Sequence, residues 1–395
     1  MKRNKKVFSF FEVFVIVIIT ATVMCFLGST IIYKHLGGVN FALLDEDANL
    51  KEFMSAYNNL VDNYYDTLDS KTLIDGAIKG MYGVVGDPYT TYLDPSSSDS
   101  LSDSLDGKYM GVGIGINKSD DEIKIVEVYD ETPAFKAGLQ KGDIIIKVDD
   151  EDVRGKDPEV VTEKLKKNNK AKFTILRGED TFEVELKTAS LFVPVVKTHL
   201  FEEGDTKVGY IRLTIFNDTA DMQFSIALNK LEKQGFDKLI IDLRDNHGGY
   251  LQVAKNIAES FIEKGKIIYS LEGKEVHEVT KDETNEKRTY PISVLINQNS
   301  ASASEILAGA LKYSYGAKIT GTKSFGKGKV QERASLAGGT SVKYTTAMWL
   351  MPNGECLDGK GLVPDLEILL DAETFNIDDI YTDTQIMGTV KNLVE

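Results

Sequence analysis

Hydrophobic residues follow three rhythms along this chain. The first is unbroken: Val13–Tyr33 is an uncharged, mostly apolar run of 21 residues, preceded by the basic residues Lys2, Arg3, Lys5 and Lys6. As a helix rising ~1.5 Å per residue it spans roughly 30 Å, the hydrocarbon thickness of a bilayer. The pattern predicts one N-terminal transmembrane helix, with 1–34 as cytoplasmic stub and anchor. The positive-inside rule then puts the body of the chain on the extracytoplasmic side of the cell membrane. The run is long for the apolar core of a signal peptide and no Ala-x-Ala-like site follows it, which favours an anchor over a cleaved leader.

The second rhythm is helical. Between Asp47 and Val85, Phe53, Tyr57, Leu60, Val61, Tyr64 and Tyr65 recur at three- and four-residue spacing, and Leu73–Val85 continues it, predicting a helical lead-in over 45–106. Gly86-Asp87-Pro88 ends its second helix, and Asp94–Ser98 reads as a loop. The third rhythm is short and alternating. Over 107–188, Met110–Ile116 alternates glycine with aliphatic residues, Ile123–Val128 is a strand, and Thr132–Ile145 is a turn, short helix and strand. Pro158–Lys167 is an amphipathic helix; Lys172–Arg177 and Thr181–Leu186 pair as a hairpin.

Over 189–371 strands and helices alternate: Val208–Ile215, Ala220–Gln234, Leu239–Leu243, Leu251–Glu263, Ile292–Ile296 and Ser302–Tyr313, an α/β domain. The tail over 372–395 becomes helical and either packs back on the core or mediates contacts in a homodimer.

The chain of 395 residues is long enough for two or three domains, and 42% hydrophobic with 27% charged residues is a globular composition. The net charge of −15 understates the acidity of the body, because 1–34 holds five basic residues and one acid, leaving 41 basic against 60 acidic residues. This acidity argues against nucleic acid as a partner, since phosphate contacts need a basic surface. Cys25 and Cys356, one in the apolar run and one in a late loop, predict no structural disulfide.

Candidate chemistry concentrates between Asn299 and Arg333. The run Asn-Ser-Ala-Ser-Ala-Ser-Glu-Ile-Leu-Ala-Gly-Ala-Leu lies where the apolar strand Ile292–Ile296 hands over to a helix, so its serines face orphan backbone N–H groups. Position alone leaves Ser300, Ser302 and Ser304 open as nucleophiles. Lys327 stands between Gly326 and Gly328, which allow a tight approach; a poorly solvated lysine there loses its proton more easily and can take one from a serine. Gly321–Gly328 nearly spells a phosphate loop, but glycine stands where the Mg²⁺-binding hydroxyl belongs and a strand follows. Gly111-x-Gly113-x-Gly115 lacks the long helix and downstream acid of a dinucleotide site. None of His35, His199, His247 and His277 lies in a nucleophile motif, no metal-ligand spacing occurs, and the chemistry requires no cofactor.

Ser-Ala-Ser-Ala-Ser-Glu-Ile-Leu-Ala-Gly-Ala-Leu followed by Ser-Phe-Gly-Lys-Gly-Lys-Val-Gln resembles the carboxyl-terminal processing peptidases, the tail-specific serine proteases. The resemblance extends over about 45–370, from Ala77–Met81 and Gly86–Tyr89 to Trp349-Leu-Met-Pro-Asn-Gly and Gly359–Asp365. It implies a crotonase-like or Clp-protease-like α/β core and a serine–lysine dyad. The nucleophile lies 25 positions before the lysine, which selects Ser302 and Lys327, with Gln331 holding the lysine. Asp242-Leu-Arg-Asp-Asn-His-Gly-Gly249 matches the family turn whose glycine amide, here Gly249 with Gly248 beside it, joins the Ala303 amide as an oxyanion hole. The family usually has proline where His247 stands.

Pro133-Ala-x-x-Ala-Gly-Leu-x-x-Gly-Asp-x-Ile145 resembles a PDZ domain, which implies that 107–188 is an inserted peptide-binding module. Its carboxylate loop would be Tyr109, Met110, Gly111, Val112 and Gly113, its partners protein or peptide substrates with free C-termini. The expectation is a membrane-anchored endopeptidase; the rival is a catalytically inactive PDZ-containing scaffold.

Overall fold

A strict alternation along the central strands explains the layering of the α/β region. In the computed structural model, which describes residues 48–395 except 120, 286, 287 and 378, Leu239 and Ile241 face one apolar cluster with Val294 and Ile296. Ile240 and Leu295 face a second cluster on the opposite side. Every side chain of Ile292–Ile296 is buried, as expected of a parallel strand covered on both faces. The sheet runs in the order Val196–Glu203, Thr206–Leu213, Lys238–Asp242, Ile292–Ile296, Lys318–Gly321 and Leu366–Glu367, the first pair antiparallel and the rest parallel.

Helices Ala220–Gln234, Leu251–Glu259 and Ala303–Ala310 supply the first cluster through Phe224, Leu228, Ile257, Ile306 and Leu307. The C-terminal helix Thr384–Val394 covers the other face, setting Ile386, Val390 and Leu393 against Phe201, Tyr210 and Ile240. The tail therefore packs back on the core.

A second, antiparallel sheet was not foreseen from the sequence. Thr91–Leu93, Ser341–Leu350, Ile267–Gly273 and His277–Lys281 lie in that order, with Lys329–Ser335 also paired to Ser341–Leu350. Its strands mix exposed and buried positions, so their apolar alternation is weak. Asp94–Ser98, expected as a loop, opens the helix Pro95–Asp106. Asp94 caps it by accepting from the Ser97 N–H at 2.8 Å, Pro95 stands in the first turn, and Gly107 closes it in the left-handed region at φ 64°.

The inserted module is an antiparallel sheet of Ile114–Ser119, Glu122–Val128, Ile144–Val148, Lys170–Arg177 and Asp180–Lys187, with helices Pro133–Lys136 and Glu159–Asn168. Ile123, Ile125, Ile145, Phe173 and Ile175 form its core. Met110–Ile116 divides in two: Lys108–Gly111 pairs with Ala189–Phe192, and Ile114–Ser119 with Glu122–Val128. The break falls at Gly113, whose φ of 86° and close approach to Thr132 exclude any side chain.

The described residues separate into two units, divided between Gly80 and Met81. The lead-in helices are Ala48–Asn63 and Ser70–Gly83, and neither has a buried residue. The transmembrane helix expected over Val13–Tyr33 lies outside the described residues, among which no helix is long and apolar enough to cross a membrane.

Candidate active site

The strand Lys238–Asp242 ends in the turn that carries the glycine pair. Asp242 and Arg244 are both buried and form a bidentate ion pair; Arg244 also donates to Asp383 and Gln385 on the C-terminal helix cap. Asn246, fully buried, shapes the turn: its Nδ2 donates to the Leu213 carbonyl at 2.9 Å and its Oδ1 accepts from the Gly248 N–H at 2.9 Å. Its backbone carbonyl accepts from the Ala301 N–H and from Ser304 Oγ. Gly248 lies flat against the serine turn: a Cβ there would sit 2.9 Å from Ser302 Cβ and 2.8 Å from the Ala301 carbonyl oxygen. His247 points to solvent.

The three serines, equivalent by position, differ in surroundings. Ser300 is buried, its Oγ accepting from the Asn297 N–H and donating to the Leu243 carbonyl. Ser304 is buried on Asn246. Ser302 is the one residue between Ser300 and Leu311 that solvent reaches appreciably. Its backbone takes φ 56°, ψ −116°, a conformation costly for a non-glycine residue and typical of strand-to-helix turns that thrust a nucleophile outward. Ala303 begins the helix. The N–H groups of Gly249 and Ala303 have no acceptor among the described residues, whereas that of Gly248 is taken by Asn246.

Glu305, with no exposed surface, binds the two halves of the site together. It accepts from Ser324 Oγ, from the Gly326 N–H at 2.7 Å, the Lys327 N–H at 2.8 Å and the Ser302 N–H at 2.9 Å. Burial pushes its carboxyl above the ordinary range while these four donors pull it back. A signal for it was present: Ser302-x-x-Glu305 is a capping-box spacing.

The lysine loop is closely packed. Trp349 Nε1 donates to the Lys327 carbonyl at 2.9 Å, and Gly326 and Gly328 press on the backbone of 357–361 so tightly that side chains there would clash. Burial lowers the Lys327 pKa and the Lys343 ammonium adds to it, against Glu305 and Asp87. Among the described residues the Lys327 ammonium has no hydrogen-bond or ion-pair partner; it lies 4.9 Å from the centroid of the Tyr89 ring. Gln331 Nε2 donates to the Lys329 carbonyl at 3.1 Å and to Thr345 Oγ1 at 3.4 Å, so its amide meets the strand beside the lysine, not the ammonium.

In the inserted module Tyr109 is half-buried, Met110 exposed, and Gly111, Val112 and Gly113 buried. Val112 belongs to the core and its carbonyl accepts from the Ala134 N–H, so it offers a ligand its backbone only. Ile114–Ser119 is an edge strand, with a partner on one side alone among the described residues.

An α/β peptidase core with a PDZ module inserted ahead of it defines a class of serine peptidase. Family models assign the parts: Peptidase family S41 matches residues 207–368, the PDZ domain 110–188, and the activating protease CtpB N-terminal domain 37–97. The chain belongs to peptidase family S41. It is 32% identical over 401 residues to the "Probable CtpA-like serine protease" of Staphylococcus aureus (strain MSSA476), covering 98% of this chain and 79% of that one. The protein of the same name from Staphylococcus saprophyticus is 33% identical over 366 residues, 91% and 73% of the two chains. Among solved structures, the photosystem II D1 C-terminal processing protease matches with TM-score 0.51 and 26% identity over 88% of this chain and 91% of its own. Tricorn protease matches with TM-score 0.52 at 18% identity over 87% of this chain and 34% of its own, a likeness of fold alone.

Proposed function

We propose that this chain is a membrane-anchored, extracytoplasmic serine endopeptidase in which Ser302 and Lys327 form the catalytic dyad and the PDZ module selects protein substrates by their free C-termini. The observation that carries the reading is the setting of Ser302: a strained, solvent-reached serine between two buried ones, beside the unpaired N–H groups of Gly249 and Ala303.

Neutral Lys327 takes the Ser302 Oγ proton as Oγ adds to the scissile carbonyl carbon. The alkoxide so formed accepts hydrogen bonds from the Gly249 and Ala303 N–H groups, and losing one such donor typically costs about 3 kcal/mol of barrier. Collapse expels the amine, which takes the proton from Lys327, and leaves an acyl-serine. Lys327 then deprotonates a water that adds to the ester, and the second collapse returns the proton to Ser302 Oγ. Gln331 and Trp349 steady the strand and loop that carry the lysine. The long lysine stem allows the ammonium to turn from the Tyr89 face toward Ser302, a tightening common on substrate binding.

The test is cleavage of an unfolded protein substrate by the full chain in proteoliposomes, compared with Ser302→Ala. Turnover by the parent and none by the variant, which instead retains bound substrate, supports the proposal. No turnover by either, with peptide binding intact, would establish the inactive scaffold.

A further inference from the structure

The Gly86–Thr90 turn precedes the inserted module, yet it sits on the lysine. Tyr89 presents its ring to two ammonium groups, Lys327 at 4.9 Å and Lys329 at 5.7 Å from the centroid. Asp87 pins the turn: its carboxylate accepts from Thr345 Oγ1, from Thr90 Oγ1 at 2.8 Å and from the Tyr89 N–H at 3.2 Å, and pairs with Lys329 at 3.3 Å. Thr90 Oγ1 accepts from the Thr345 N–H, and the following strand Thr91–Leu93 pairs with Ser341–Leu350. Thr345 is also the residue that Gln331 touches. The turn is therefore built into the sheet whose strand Lys329–Ser335 begins two residues after Lys327.

We propose that Tyr89 is a positioning residue that holds Lys327 in its protonated, resting arrangement on the ring face, from which the lysine must depart to serve Ser302. The proposal rests on Lys327 being the base. An ammonium over an aromatic face is favoured over the neutral amine, and in a desolvated pocket this attraction is at its largest. The other charges acting on Lys327 are Glu305 on the helix Ala303–Ala310, Asp87 on the turn and Lys343 on the strand Ser341–Leu350, while Lys329 shares the Tyr89 ring and pairs with Asp87. Asp358, on the loop against Gly328, faces the tyrosine. Glu305 and Asp87 favour the charged lysine, while Lys343 and burial oppose it. Tyr89 thus favours the charged form of a group that burial pushes toward the neutral one.

The pH dependence of kcat/KM, measured on the full chain, reads this directly. Tyr89→Leu keeps an apolar side chain and removes the ring face, so the acidic limb of the profile moves to lower pH by about half a unit or more. Tyr89→Phe keeps the face and the parent limb. A residue with a merely structural role would lower the melting temperature and the plateau rate without moving the limb. A limb for Tyr89→Leu that coincides with the parent's or moves upward overturns the proposal, as does a Tyr89→Phe limb that moves as far as that of Tyr89→Leu. If Tyr89→Leu turns over too slowly to profile, the Lys327 titration is followed by ¹³C NMR of ε-labelled lysine in the Ser302→Ala background, assigned by its loss in Lys327→Arg, and the same displacement is required. Retained activity in Lys327→Ala would refute the dyad itself, an outcome distinct from failure of the Tyr89 displacement.

Discussion

The backbone amides of Ser302 and Lys327 share a single acceptor, Glu305 Oε2, at 2.9 and 2.8 Å. Two segments 25 residues apart are thereby held in register by one buried carboxylate, whose second oxygen takes Ser324 Oγ and the Gly326 N–H. All four partners are donors, so only an acceptor on both oxygens satisfies them.

Glu305→Gln replaces one of those oxygens by an NH₂ that must face donors. The variant should lose about 2 kcal/mol of stability or more, and kcat by about a hundredfold, because the two members of the proposed dyad lose their common reference point. Thermal unfolding and steady-state kinetics on the same preparation check both. An unchanged kcat would mean that the carboxylate does not hold the site.

Ser302→Ala should abolish turnover with the fold intact, and so should Lys327→Arg, because a guanidinium stays protonated at any working pH. Burial places the folded-state Lys327 pKa below its unfolded value. Between those two values the unfolded chain binds the extra proton, so stability rises as pH climbs through the window, and activity falls as pH drops through the folded pKa. It follows that Lys327→Met, which removes a charge that is costly to bury, raises the melting temperature at pH 7 by about 2–4 °C while eliminating activity. Near-parent rates for Lys327→Arg would exclude the lysine as base.

What the sequence revealed of this site depended on the kind of signal each residue leaves. Ile292–Ile296 was read with its observed bounds because a buried parallel strand is a continuous apolar run. The serine cluster and Lys327 stood out through a strand-to-helix change and flanking glycines, but choosing Ser302 needed the family resemblance; in the structure Ser300 and Ser304 are engaged elsewhere. Asp87 was read as part of a helix stop and Gly86–Tyr89 as part of the family resemblance, but no role followed for either side chain, since their partners Lys327, Lys329 and Thr345 lie more than 200 residues on and local periodicity carries no trace of such pairing. The antiparallel sheet was missed for a related reason: its half-exposed strands owe their order to neighbours far along the chain.

Asp383, at the start of the last helix, reaches the turn that carries Gly248 and Gly249. It accepts from the Ser-free helix start at the Gln385 and Ile386 N–H groups and pairs with Arg244 at 2.9 Å, itself bound to Asp242. Breaking a buried ion pair from one side leaves an uncompensated charge, so Asp383→Ala should cost about 3 kcal/mol. Because Arg244 lies within the turn that ends in Gly248 and Gly249, kcat should fall severalfold even in the fraction that remains folded. Denaturant unfolding with active-site titration separates the two effects. A lowered stability with unchanged kcat per folded molecule would confine the network to anchoring the tail.

If the inserted module reads substrate tails, the free carboxylate should matter more than the residue that bears it. The backbone of Gly111–Gly113 is fixed, with the Val112 and Gly113 carbonyls occupied by the Ala134 and Tyr129 N–H groups, and Ile114–Ser119 offers an open edge for an added strand. A terminal carboxylate is a natural partner for loop N–H groups there; an amide end carries no charge and brings a donor to face donors. Exposed Met110 and half-buried Ile114 favour aliphatic ends, and a chain with net charge −15 disfavours acidic ones. A substrate ending in an apolar free acid should be degraded severalfold faster than its amidated twin, the difference lying in KM if the module only captures tails, and in kcat if capture also shifts the catalytic region toward its working state. Deleting 107–188 should erase the difference, and equal cleavage of both substrates by the intact chain would show that the module serves another purpose.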